Sequence, residues 1–136
     1  MRLRKYFSVS LMLTVAACGG GSSSTPAPSG TVTTETFSGT VAVGGRDFHS
    51  FTTKQTGEVD VTLTAAGPPP TISMGLGVGT VNGSTCSLLP GASINTQAGT
   101  AVQLAGTVSA GTLCVQVYDI GNQTAPITYT VTVAHH

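Results

Sequence analysis

The chain has 136 residues, a formal net charge of zero, 7% charged and 5% aromatic residues, no Trp and three Cys. That length holds one domain with little to spare, and so few charges exclude a basic nucleic-acid binder, a charge-rich disordered tail and long helices rich in Glu, Lys and Arg. With 23 Thr and 15 Val set among 18 Gly and 7 Pro, the material is β-branched segments divided by turn formers, which reads as all-β.

Residues 1–17 have the zones of an export signal: a basic start at Arg2, Arg4 and Lys5, an apolar stretch from Tyr6 to Val15, and small residues at Ala16 and Ala17. The apolar stretch is too short to stay in a bilayer as a spanning helix. Val15-Ala16-Ala17-Cys18 then matches the bacterial lipobox, and so resembles a lipoprotein signal in which Cys18 is lipidated and becomes the mature N-terminus. The plainer reading makes Cys18 a small residue near an ordinary cleavage site. Residues 18–34 follow as a Gly/Ser/Thr/Pro linker without side chains to build a core, a tether that would hold a domain roughly 20 Å from the lipid. Gly19 after the Cys, rather than Asp, favours the outer membrane, on its periplasmic side or at the cell surface, by resemblance to enterobacterial lipoproteins.

Alternation runs from Glu35 to Ala134, so residues 35–136 are expected to form one domain. The strand candidates are Thr36 to Val43, Asp47 to Thr53, Glu58 to Ala66, Ile72 to Val81, Thr100 to Leu104, Thr112 to Tyr118 and Ile127 to Val133. In Glu58 to Ala66, Val59, Val61, Leu63 and Ala65 fall on one face, with Glu58, Asp60, Thr62 and Thr64 on the other. Gly44-Gly45, Thr56-Gly57, Asn82-Gly83, Pro90-Gly91, Ala110-Gly111 and Gly121-Asn122 mark turns, and Gly67-Pro68-Pro69-Pro70 marks a stiff loop. Seven or eight such strands make a two-sheet sandwich. With Cys18 assigned to lipid, Cys86 and Cys114 remain to pair in an oxidising compartment, on an outer sheet face or under a loop; a metal pair or a reactive thiol are the alternatives.

Phe37-Ser38-Gly39-Thr40-Val41, Asp47-Phe48-His49-Ser50-Phe51-Thr52, Thr56 to Thr64, Ala110 to Val117 and Tyr129 to Val133, in that order, resemble the bacterial pre-peptidase C-terminal domain from Phe37 to Ala134. The resemblance implies a jelly-roll-like β-sandwich, usually carried at the C-terminus of secreted peptidases, and similar to collagen-binding domains of some of them. Here no peptidase precedes it, so the accessory module is expected to be the whole mature protein. Leu113 and Cys114 stand where the family commonly has an aromatic pair, which marks the disulfide as a subgroup feature.

Catalytic constellations are sparse. The His residues are His49, His135 and His136, and there is no Gly-x-Ser-x-Gly elbow. His49 shares a strand face with Phe51 and reads as half-buried and structural, with Asp47 the other catalytic candidate; Asp47 itself reads as a turn acceptor or a partner for Arg46. Glu58 and Asp60 share a polar strand face, the solvated place for carboxylates rather than a hydrolytic pair. His135 and His136 would bind metal only adventitiously, no dense Asp/Asn loop suits calcium, and no cofactor motif is present. Gly75, Gly77 and Gly79 alternate on one face opposite Met74, Leu76, Val78 and Thr80, leaving room for a flat ligand, another backbone or a covering aromatic.

The chain is thus expected to be non-enzymatic: a lipid-anchored envelope module for binding, adhesion or accessory interaction. Its expected partners are the membrane through Cys18 and an envelope protein, matrix protein or polysaccharide, with no nucleic acid. The alternatives are a structural envelope lipoprotein without a specific ligand, or an accessory to a separately encoded peptidase. The mature part would keep Arg46 and Lys54 against Glu35, Asp47, Glu58, Asp60 and Asp119, a net charge of minus three.

Overall fold

A computed structural model describes residues 30–136; the expected export signal, Cys18 and the expected linker as far as residue 29 lie outside the described residues. Eight strands and no helix are present among them: β1 (Thr33–Val41), β2 (Arg46–Thr53), β3 (Gly57–Gly67), β4 (Met74–Asn82), β5 (Thr85–Thr96), β6 (Leu104–Val108), β7 (Gly111–Tyr118) and β8 (Ile127–His135). They form two antiparallel sheets of four, ordered β1-β8-β3-β6 and β2-β7-β4-β5. Only the β4–β5 connection stays within a sheet; every other crosses to the opposite one, which is the strand order of a jelly roll. The fold is therefore the expected two-sheet sandwich.

Period-two alternation places the core between the sheets. Val59, Val61 and Leu63 of β3 and Tyr129, Val131 and Val133 of β8 face Met74, Leu76 and Val78 of β4 and Leu113, Val115 and Val117 of β7, all buried in one cluster. β1 begins at Thr33, opposite His135, two residues before the alternation becomes visible in the sequence. It ends at Val41 rather than continuing to Val43, because Gly45 N–H turns back onto the Ala42 carbonyl at 2.8 Å.

Three expectations are corrected. Ala65 is exposed and Ala66 buried, because a bulge between Leu63 and Ala65 shifts the register of β3 against β8 and reverses the faces. Residues 100–103 are not a strand: the Gln103 side chain takes the place of a ladder neighbour, accepting from Leu63 N–H at 2.6 Å and donating to its carbonyl at 3.2 Å, and the strand proper starts at Leu104. Pro90-Gly91 does not join two elements but lies within β5, a twelve-residue strand without readable alternation. Residues 89–92 loop out of its pairing with β4, where the register shifts between Gly77 and Gly79, and Gly91 takes a φ of 72° that favours glycine.

Candidate functional site

The glycine face of β4 is on the outside of its sheet, in register with Tyr118, Gln116 and Cys114 of β7. The chain fills it with its own atoms. The Tyr118 ring lies over Gly75, the Leu88 methyls lie over Gly77, and the backbone of Ser87 and Leu88 curls across Gly79. That curl brings β5 close to β7 across the intervening strand, so Cys86 and Cys114 are joined in a disulfide with Cα atoms 5.9 Å apart. The bridge lies on the outer sheet face, as expected. Cys114 and Gln116 are nevertheless fully buried there, because the folded-over β5 and the Tyr118 ring cover a face that alternation alone would leave wet.

A second cluster spans the two sheets near β1 and β2. Tyr129 of β8 donates to Asp47 Oδ2 of β2 at 2.6 Å, His49 Nε2 lies 3.6 Å from the same oxygen, and Phe37 stacks on the His49 ring at 5.0 Å. Gly39 of β1 makes the room, since a side chain there would overlap the Asp47 carboxylate and the Tyr129 hydroxyl. Burial, the hydrogen bond to Asp47 and the charge of that carboxylate push the Tyr129 phenol far above its ordinary range. It therefore acts as a fixed donor tying one sheet to the other. Asp47 and His49, the two candidates for catalysis, do come together, but as acceptor and stacked ring in this tie.

Asp47 is accordingly neither the turn acceptor nor the partner of Arg46. The turn role belongs to Asp119, whose Oδ2 accepts from Gly44 N–H at 2.7 Å and whose Oδ1 accepts from Gly121, Asn122 and Gln123 N–H at 2.8, 3.1 and 3.2 Å. Those donors, Gly44 foremost, hold its carboxyl below the usual range. The carboxylate thus joins the β1–β2 and β7–β8 loops. Glu58 and Asp60 stand on the outer face of β3, Glu58 exposed and Asp60 half-buried, with no cation paired to either among the described residues.

His135 is not a loose terminal residue. It closes β8 at 5% exposure, and its Nε2 donates to Glu35 Oε1 at 2.8 Å. Glu35 points inward from β1, a placement that the alternation with Phe37 and Val41 could have disclosed. The pair borders a cleft of about 550 Å³ shared with Phe51, Lys54, Gln55 and His136, at the end where the described chain begins. Among the described residues, no three His, Cys, Asp or Glu side chains gather as a metal set. No family model and no curated protein matches the chain.

Proposed function

We propose that the protein is a lipid-anchored envelope module, a non-catalytic β-sandwich held at the membrane through Cys18, which engages other envelope or extracellular molecules. The observation that carries this reading is the use of the cysteines. Cys86 and Cys114 are consumed in a disulfide, which leaves Cys18, the one preceded by Val15-Ala16-Ala17, as the remaining thiol. A bridge also suits an exported protein. The jelly-roll strand order is the architecture that the resemblance to the pre-peptidase C-terminal domain implies, and it supports placing the chain near that family. The described chain opens on residue 30 beside Gln55 and His136, so a tether from residue 18 would reach the sandwich at one end and leave its long sides open to partners.

The test is mass spectrometry of the membrane fraction. The mature protein is expected to carry an acyl mass on Cys18, and Cys18→Ala is expected to abolish that mass and release the protein. Unchanged membrane retention of the variant would refute the anchor.

A further inference from the structure

Among the described residues, four strands lie at sheet edges: β1, β6, β2 and β5. An exposed edge presents unpaired N–H and C=O groups, and proteins guard it with inward charges, Pro or bulges. β1 has inward-facing Glu35, β2 has Arg46 and inward Asp47 and His49, and β5 has Pro90 within its looped-out segment. β6, Leu-Ala-Gly-Thr-Val, is short but has none of these, and it pairs with β3 in unbroken register from Val61↔Leu104 to Gly57↔Val108.

The inner side of this edge is hollow. Gly106 sits opposite Val59 in register and therefore faces inward, and a side chain built on it would meet no atom within 4 Å. The hollow is a cavity of about 200 Å³ between β6 and the looped-out residues Leu89 to Ala92 of β5, floored by Val59 and Val78 and flanked by Leu104 and Val108. The outer side is acidic: Glu58, exposed, and Asp60, half-buried, stand across from Thr107 and Ala105.

We infer that β6 is a docking edge for an extended peptide strand of a partner, one that places an apolar side chain over Gly106 and Lys or Arg on the alternate, outward positions. Backbone pairing to β6 would supply affinity, and the cavity would select one inward side chain, as in strand addition generally. A residue of the added strand lies two interstrand spacings, each about 4.8 Å, from Glu58 and Asp60, a span that the long stems of Lys and Arg cover. A second copy of this chain would instead set its own Glu58 and Asp60 on the same face as these. The charge pattern therefore favours a basic partner strand. The proposal deepens the binding-module reading and rests on it; the anchor is judged by an acyl mass and this edge by peptide titration, so the failure of either is seen separately.

The probe is the peptide fluoresceinyl-Gly-Gly-Thr-Lys-Leu-Lys-Thr-amide, labelled at its N-terminus so that both Lys amines stay free, titrated by polarisation against protein expressed from the full chain. Saturable binding is expected. It should weaken at least tenfold with Gly106→Val, which fills the cavity, and at least tenfold when the peptide backbone is N-methylated on its pairing side. It should weaken about fivefold in the Glu58→Lys/Asp60→Lys variant, as expected for loss of a charge-assisted contact. Because Val suits a strand and meets no neighbour, Gly106→Val should melt no lower than the parent. If it fails to fold, the N-methylated peptide and the charge variant, which leave the interior untouched, decide the matter. The proposal is overturned if the parent peptide does not saturate, if the N-methylated peptide binds equally, or if Gly106→Val binds unchanged. It is also overturned if sedimentation shows a concentration-dependent dimer that Gly106→Val abolishes, because the occupant is then a second copy.

Discussion

Gly79→Ala is the sharpest probe of how the bridge is accommodated. A Cβ at this position would lie 2.5 Å from the Ser87 carbonyl carbon and 2.7 Å from Leu88 Cα, where ordinary contact begins near 3.4 Å. These are backbone atoms, and the Ser87 carbonyl oxygen is nearer still, so β5 must shift bodily rather than swing a rotamer, unlike at Gly77, where the two nearest atoms are the Leu88 methyls. The disulfide opposes that shift because it fixes Cys86 to Cys114 across the same strand. Overpacking against a fixed backbone places the cost at the upper end of the usual range, about 3 kcal/mol, or a drop in Tm of roughly 15 °C for a domain of this size. The assay is a double-mutant cycle by thermal and urea unfolding: Gly79→Ala measured with the bridge intact and again in Cys86→Ala/Cys114→Ala. With β5 released, the penalty should shrink by at least about 1 kcal/mol, since the two features share one constraint. A penalty below about 1 kcal/mol with the bridge intact, or one unchanged without it, would refute the account.

Two predictions concern pH. The Tyr129 phenol has a raised folded pKa, so its stabilising hydrogen bond is fully present below the unfolded value near 10 and is lost as pH rises further. Alkaline unfolding should therefore begin above about pH 10, phenolate absorbance should show one tyrosine ionising only with unfolding, and Tyr129→Phe should cost about 1.5 kcal/mol at neutral pH while removing that step. The Asp119 carboxyl shifts the other way: its depressed folded pKa means that its contribution is present above the ordinary carboxylate range and is lost as pH falls through the folded value. Hydrogen exchange at Gly44 and Gly121 should stay slow at neutral pH and accelerate below the carboxylate range, and Asp119→Asn should make it fast and pH-insensitive after correction for intrinsic exchange; slow exchange in the variant would contradict the role given to this loop clasp.

The sheets could be read from the sequence wherever one face is apolar and the other polar without interruption. Val59, Val61 and Leu63, or Tyr129, Val131 and Val133, announce both strand and face. The signal fails where tertiary contacts set the pattern. The register of Ala65 and Ala66 depends on a bulge that is decided by pairing with β8, and β5 lacks alternation because it is an edge strand interrupted by its own looped-out residues. Residues 100–103 looked extended because Gln103 mimics a neighbour with its side chain. The glycine row of β4 was visible as a place of close approach, yet what fills it comes from β5 and β7, which no local pattern names. The Tyr129–Asp47 tie was equally hidden, as its partners are 82 residues apart.

That β1 lies beside β8 has a bearing on biogenesis. Glu35 and His135 are 100 residues apart in sequence yet in contact, and β8 occupies the interior of its sheet between β1 and β3. A chain threaded N-terminus first through a membrane, as the export reading would require, would deliver β1 well before β8, its one sheet neighbour among the described residues. High contact order of this kind makes folding slow. The sheet would close only when β8 emerges, and truncation within β8 would halve a sheet rather than trim its margin.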